Sequence, residues 1–205
     1  MGYELINIGT PNDNNGDTIR DAFKKSNDND AYLKQKVDAF ENSTNGVVSN
    51  NTVTILTPLD AMFSAINRLT GAIKIRLPQS WTNTMMTLKI TIFEYDSDET
   101  FELIISGYNH TGLGEGWYRT SVMIIGANTT RDFTVRFGHD GVKSCIYIGE
   151  LNSMWHYLQL YVSRCFFGFG STEASNWLTG WQISLENSTF QNISSTHTNN
   201  LVQGK

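Results

Sequence analysis

The chain has 205 residues, of which 40% are hydrophobic, 12% aromatic and only 17% charged, against about 25% charged in an average soluble domain. A net charge of −5 and the lack of any basic run argue against binding to nucleic acid through its phosphate backbone. No apolar stretch reaches the roughly 18 to 20 residues that cross a bilayer, so we expect no membrane insertion.

Helical periodicity begins at Asp17, after a segment (residues 1–16) that is rich in turn residues, Asn, Asp, Pro and Gly. Asp17 or Thr18 can cap the helix, and Asp21 lies in its first turn, where a negative charge stabilises the helix dipole. The pattern predicts one helix over residues 17–42.

One face of this helix repeats in alternating steps of four and three residues. We call this face the seam, and it consists of Ile19, Phe23, Ser26, Asp30, Leu33, Val37 and Phe40. A repeat of 3.5 residues is typical of a coiled coil, which predicts a self-associating stalk with Ser26 and Asp30 as a polar layer that sets register or oligomer number. The alternative is an amphipathic helix packed on the chain's own β domain, and a dimer satisfies the repeat almost as well as a trimer.

Residues 43–71 have the composition of a polar connector. We expect one strand at Val53–Leu56, followed by one or two helical turns in "PLDAMFSAINRLTGA" that end at Gly71.

From residue 72 to residue 205 the dominant pattern is period-two alternation. At least seven short strands bounded by turn residues predict an antiparallel β-sandwich head, and Asp140-Gly141 predicts a hairpin turn. Cys145 and Cys165 lie in alternating strands and are expected to be buried thiols, with a disulfide as the alternative. The faces expected to be buried contain Ile73, Ile75, Leu77, Met86, Leu88, Ile90, Ile92, Phe101, Leu103 and Ile105.

Aromatic residues near the turns of the head are candidates for glycan binding, because aromatic rings stack on sugar faces. Trp117 is expected to be the most exposed, since three glycines surround it in "GLGEGWYRT"; the alternative is that these rings fill the core or an interface. The candidates are Trp117, Tyr118, Trp155, Tyr157, Trp177 and Trp181.

Catalytic and metal sites have weak sequence support. The carboxylates of "EYDSDETFE", residues 94–102, are interpreted as a solvated loop rather than as the acid pair of a glycosidase. No His or Cys spacing typical of a metal site occurs. We therefore expect a protein without enzymatic activity, metal or cofactor.

Two segments resemble structural proteins of tailed bacteriophages. The first resembles a motif of fibre and baseplate proteins, although Asp30 replaces the aromatic residue of that family. The second resembles a domain of phage head and tail fibres, through "GAIKIRLP", "ISGYN", "VRFGHDGVKSCIYIGE", "WHY" and "WLTGWQISLENS". The matching residues of the first are Gly9, Thr10, Pro11, Asn12, Asp13, Gly16, Asp17, Arg20, Ala22, Phe23, Lys25, Asn27, Asn29 and Leu33.

The resemblance implies a homotrimeric virion fibre with a coiled-coil stalk and a jelly-roll-like head that attaches the particle to host-surface glycans or other surface polymers. Residues 1–16 would anchor the fibre to a protein of the head, collar or tail, and the virion would assemble in the host cytoplasm. A decoration fibre without a ligand and a polysaccharide-degrading enzyme are the alternatives. The implied anchor motif is Gly9, Thr10, Pro11, Asn12, Asp13, Gly16 and Asp17.

Overall fold

The structure, a computed structural model, describes residues 4–10, 14–44, 46–50, 52–95, 99–126 and 134–198, with side chains described for all of these except 40–44. The chain divides into two compact units, Met1–Thr44 and Asn45–Lys205. The described residues are mainly β, with 46% strand and 14% helix, which confirms the expected class.

The first unit contains a single helix in its described part, α1 (Ile19–Thr44). Thr18 caps this helix, because its Oγ1 accepts a hydrogen bond from the backbone N–H of Asp21 at 3.2 Å and donates one to the Asp21 carboxylate at 2.6 Å. This reciprocal arrangement satisfies a free N–H of the first turn and places a negative charge at the positive end of the helix dipole.

The second unit contains fourteen strands in its described part. Period-two alternation gives most of the longer strands one buried and one more exposed face. In chain order they are β1 Val48–Ser49, β2 Val53–Leu56, β3 Met62–Ser64, β4 Arg68–Thr70, β5 Ala72–Arg76, β6 Thr84–Glu94, β7 Glu99–His110, β8 Gly116–Ile125, β9 Val135–His139, β10 Ser144–Ile148, β11 Met154–His156, β12 Gln159–Gly168, β13 Gln182–Glu186 and β14 Ser195–His197.

The strands form antiparallel sheets. The larger has the order β1-β2-β12-β6-β7-β8, with β3 also paired to β12, and a second has the order β13-β5-β10-β9-β14. Strands β11 and β4 form a two-stranded pair. Buried residues from both large sheets, such as Ile90 and Ile146, belong to one continuous hydrophobic core.

The alternating segments are buried as the sequence predicts. All ten apolar residues expected on buried faces are at most 4% exposed. The predicted turn at Asp140 is also confirmed: Asp140 Oδ1 accepts hydrogen bonds from the N–H groups of Val142 and Lys143 at 3.0 and 2.8 Å, and Gly141 has a φ of 90°.

Residues 45–71 belong to the second compact unit, so the prediction of a connector over 43–71 is wrong for that range. The strand at Val53–Leu56 is confirmed, whereas the predicted helical turns after it are strands β3 and β4. The physical reason is tertiary pairing: β3 aligns with β12, and Ala61 and Ala65 lie in the core. Gly71 is not a helix stop; it links β4 to β5 with a φ of 137°.

Both cysteines are buried free thiols, which confirms the expectation and rules against a disulfide. Burial raises the pKa of Cys145 to about 12 and also raises the pKa of Cys165. Within the described ranges, no helix has both the length and the apolar character that crossing a membrane requires.

Candidate functional site

The N-terminal residues form a strap on helix α1. The side chain of Asn29, 7% exposed, accepts a hydrogen bond from Glu4 N at 2.8 Å and donates one to Glu4 O at 2.7 Å. Lys25 Nζ donates to Leu5 O at 3.2 Å and forms an ion pair with Asp17 at 2.8 Å. The resembling motif residues Asp17, Lys25 and Asn29 thus fix the strap, which we define as residues 4–10.

Two motif glycines allow the strap to turn back toward the helix. Gly9 has a φ of 67°, and a Cβ there would lie 2.7 Å from Gly16 N; a Cβ on Gly16 would lie 3.0 Å from Ile8 C. Asn15 Oδ1 accepts a hydrogen bond from Thr10 N at 2.9 Å. Of the predicted anchor motif, the structure thus brings Gly9, Thr10, Gly16 and Asp17 together, whereas Pro11, Asn12 and Asp13 lie outside the described residues.

The seam of α1 is open to solvent in the single chain. Its four large apolar side chains with described positions are exposed by 79% (Ile19), 67% (Phe23), 49% (Leu33) and 53% (Val37). Asp30 is exposed and Ser26 half-buried, while the side chain of Phe40 lies outside the described residues. This exposed row is the apolar surface that a coiled-coil partner would bury.

A groove lies beside the first part of the seam. Ile6 of the strap lines it together with Ile19, Ala22, Phe23 and Ser26, and its volume is about 300 Å³. The strap therefore adds one apolar wall to the seam instead of covering it.

The expectation that Trp117 is exposed is wrong: its side chain is 3% exposed. A Cβ on Gly107 would lie 3.0 Å from the Trp117 ring, so the absence of a side chain at Gly107 leaves space for the indole. Trp117 Nε1 donates to Gly138 O at 3.0 Å, and the ring meets Phe137 edge-on at 5.3 Å between centroids.

Trp155, Trp177 and Trp181 are also buried, at 0%, 0% and 3% exposure. Each indole N–H donates to a backbone carbonyl at 2.7 to 2.8 Å, those of Gly71, Ser171 and Trp177 respectively. These rings are core residues, as the alternative interpretation held, and they present no face to a sugar.

The two predicted tyrosines are partly exposed, Tyr118 by 46% and Tyr157 by 39%. Tyr157 packs edge-on against Tyr95 at 5.9 Å between ring centroids. Tyr118 packs edge-on against His110 at 5.5 Å, and His110 in turn lies 5.6 Å from Tyr108. Tyr118 therefore joins a partly exposed aromatic cluster with His110 and Tyr108 that the sequence did not reveal.

That cluster borders a cavity of about 270 Å³ on the outer face of the larger sheet, which we call the Phe166 pocket. Phe166 and Met85 are exposed by 41% and 51%. Hydroxyl groups are present as well, with Thr87 Oγ1 and Ser106 Oγ 2.8 Å apart. The lining residues are Met85, Met86, Thr87, Ser106, Gly107, Tyr108, Arg119 and Phe166.

A β-bulge places Arg119 in this pocket. The register of β7 and β8 shifts between Ser106 and Tyr108, so that Arg119 and Thr120 together oppose Gly107. Arg119 has a φ of 51°. For a residue with a side chain this left-handed conformation costs of order 1–3 kcal/mol, and such residues cluster at functional sites.

Two more residues with positive φ contact Tyr108, which lines the pocket. Asn83 (φ 56°) accepts hydrogen bonds at Oδ1 from Tyr108 Oη at 3.1 Å and from Thr111 N at 3.0 Å. Phe169 (φ 59°) is 62% exposed, and its ring centroid lies 6.1 Å from that of Tyr108. Of the six non-glycine residues with positive φ in the described part of the chain, Arg119 therefore lines the pocket, and Asn83 and Phe169 contact its lining residue Tyr108.

A larger groove of about 630 Å³ begins at Gly170, the residue after Phe169. Its lining is polar and consists of Ser49, Asn50, Gly170, Ser171, Thr172, Glu173 and Asn176.

The acidic segment 94–102 differs from the expected solvated loop, because Glu94 ends β6 while Glu99 and Glu102 lie on β7. Glu94 is 1% exposed and accepts a hydrogen bond from His156 N at 2.7 Å, so it is not part of a solvated loop as expected. Asp96 and Asp98 lie outside the described residues. No group of three His, Cys, Asp or Glu residues that could hold a metal ion occurs among the residues that the structure describes.

Comparison of the chain with protein-family models, with curated proteins and with solved structures found no match.

Proposed function

We propose that the chain is a structural protein of a tailed bacteriophage, and that it forms a homotrimeric fibre that attaches the particle to host-surface glycans or other surface polymers. Residues 1–16 bind another virion protein, residues 17–42 form the coiled-coil stalk, and the β unit forms a jelly-roll-like sandwich head. The fibre is located in the virion after assembly in the host cytoplasm.

The observation that carries the proposal is the exposed seam of α1. Ile19, Phe23, Leu33 and Val37 are between 49% and 79% exposed in the single chain, at the spacing of a coiled coil. In water, a lone helix is stabilised little by such a narrow apolar stripe, whereas association of three copies buries the stripe. The trimer, rather than a dimer, follows from the resemblance to phage fibres.

The strap supports the anchoring role of the N-terminus. Its polar groups are engaged with α1, while its apolar side chains Leu5 and Ile8 remain 79% and 93% exposed. Apolar side chains on a segment fixed by hydrogen bonds are suited to insertion into a pocket of another protein, because less ordering is needed on binding.

Several copies of one weak binding site strengthen the attachment of a fibre. Three heads on one stalk, and several fibres on one particle, raise the overall avidity by a factor of about 10² to 10⁴ over one weak site. The Phe166 pocket, with exposed rings and an arginine, is a surface on which such a weak site can be built.

A decoration fibre without a ligand is the second candidate. The burial of Trp117, Trp155, Trp177 and Trp181 favours it, since these rings were the leading glycan-binding candidates. The exposed aromatic cluster at Tyr108 and Phe169 favours attachment instead.

The test uses an antibody raised against the full chain and particles of a phage that encodes it. We expect immunogold label on the virions in electron micrographs and a loss of host adsorption when Fab fragments saturate the label. Unlabelled virions would contradict the proposal, whereas labelled virions that adsorb normally at saturating Fab would favour the decoration fibre.

A further inference from the structure

We propose that the Phe166 pocket binds one anionic sugar residue of a surface polysaccharide, an inference that rests on the proposed attachment function. The ligand is a pyranose ring that carries a carboxylate or a phosphate. The volume of about 270 Å³ lies below the range of about 300–1,000 Å³ for pockets that enclose drug-sized ligands, and therefore suits a single ring.

The apolar part of the pocket provides stacking surfaces. Phe166 is 41% exposed, and Tyr108 lines the pocket with it. The ring of Phe169, 62% exposed, lies 6.1 Å from that of Tyr108. The Tyr108 hydroxyl is engaged with Asn83, which holds that ring in place. A pyranose ring presents C–H groups on one face and hydroxyls on its edge, and Thr87 and Ser106 offer hydroxyls to that edge.

The charge of the pocket comes from Arg119. Its guanidinium forms no ion pair and no hydrogen bond with any residue in the described ranges. Arginine binds carboxylate and phosphate through paired N–H donors, which gives both strength and orientation. A sugar with a negative charge complements an arginine among aromatic rings and hydroxyls, because a neutral sugar or an apolar segment would leave the positive charge of the guanidinium uncompensated.

The backbone supports a binding role at the same place. Arg119 adopts a φ of 51°, and Asn83 and Phe169, which contact the lining residue Tyr108, adopt 56° and 59°. A glycine at position 119 would satisfy this conformation without strain, so the arginine side chain is retained at a cost to stability. A side chain that lowers the stability of the fold is expected where that side chain binds a ligand.

The test measures binding of four probes to the full chain by saturation-transfer difference NMR. Methyl β-D-glucuronide carries ring and carboxylate, glucose 6-phosphate carries ring and phosphate, methyl β-D-glucoside is neutral, and acetate has no ring. We expect at least one anionic sugar to bind about tenfold more tightly than the glucoside and than acetate. Whichever anionic sugar binds more tightly identifies the source as a uronate-type or a phosphorylated polymer.

Two variants distinguish specific binding by Arg119 from a general effect of positive charge on this face of the sheet. Arg119→Gly should weaken binding of the anionic sugar by about tenfold or more, with an unchanged or higher melting temperature, because glycine accepts the bulge conformation. Arg164→Ala removes an equal charge from the same face, at a position that pairs with Lys89 and does not line the pocket, and should leave binding within about twofold.

The inference would be overturned if neither anionic sugar bound more tightly than the glucoside, or if both variants lost binding equally. A change of solution mass in Arg119→Gly would also overturn it, since the pocket would then be an interface between copies. Failure of this inference can be distinguished from failure of the fibre proposal. A threefold solution mass without sugar binding would support the fibre and contradict the sugar site. Sugar binding by a single-chain species would support the sugar site and contradict the coiled-coil stalk.

Discussion

Replacing Phe23 by Asn tests the seam at its largest described side chain. Phe and Asn have similar helix propensities, so the substitution changes the seam and not the intrinsic stability of α1. Full burial of a phenylalanine contributes about 1.5–3 kcal/mol. Because Phe23 is 67% exposed in the single chain, its burial contributes about 1–2 kcal/mol per chain and about 3–6 kcal/mol per trimer.

This loss changes the trimer dissociation constant by a factor of about 10² to 10⁴, since each 1.4 kcal/mol is tenfold. The chain concentration at half-dissociation varies as the square root of that constant, so we expect it to rise about ten- to a hundredfold. Sedimentation equilibrium over a dilution series measures this midpoint for Phe23→Asn and for the unchanged chain.

The matched control is Ile66→Asn, which removes another exposed apolar side chain, 90% exposed, from the loop between β3 and β4. We expect its midpoint to equal that of the unchanged chain. If Phe23→Asn also leaves the midpoint unchanged while the chain remains oligomeric, association is held elsewhere and the reasoning from the heptads is refuted.

The remaining predictions concern the strap and the histidines. Gly16→Ala places a Cβ about 3 Å from the backbone of Ile8 and Asn7. Because the Asp17 N–H donates to Asn7 O at 2.8 Å, we expect hydrogen exchange of the Asp17 amide to accelerate about tenfold or more. The Leu33 amide is the internal control, and unchanged exchange at Asp17 would contradict the described position of the strap. Burial lowers the pKa of His139, although the Asp140 carboxylate opposes this, and burial also lowers the pKa of His197. The unfolded chain therefore takes up these protons first, and the melting temperature should fall as the pH falls below about 6.5. His139→Gln should reduce the change of melting temperature with pH between pH 7.5 and 5. A melting temperature that rises as the pH falls from 7.5 to 5 would contradict the lowered pKa values of the two histidines.

The regular strands could be predicted from the sequence because one simple rule governs them. In β6 and β7, alternate residues such as Leu88 and Leu103 face the core, and nothing beyond the alternation was needed to identify them. The capping position at Thr18 is equally local, since it depends on Asp21 only three residues away.

The candidate site was not predictable because it depends on partners that are distant in the chain. Trp117 is buried because Gly107, on the neighbouring strand, leaves room for its ring. The register shift between β7 and β8 at Gly107 places Arg119 in the pocket. Phe166 and Tyr108 meet at one pocket only through the order β12-β6-β7. The positive φ of Arg119 has no sequence signal, because glycine and asparagine, the usual residues in that conformation, are absent there.

The strands β3 and β4 show a third situation, in which local propensity favoured the wrong element. The segment from Pro58 to Gly71 contains helix formers, but pairing with β12 and burial of Ala61 and Ala65 decide its conformation. Tertiary contacts outweigh helix propensities of a few tenths of a kcal/mol per residue.

The solution mass of the purified full chain, determined by light scattering coupled to size-exclusion chromatography, tests the central claim most directly. One chain has a mass of 23.1 kDa, so the fibre account predicts three times that value, about 69 kDa, and a lower mass on dilution for Phe23→Asn. A mass of 23.1 kDa at every concentration would contradict the stalk, because the exposed seam would then have no partner.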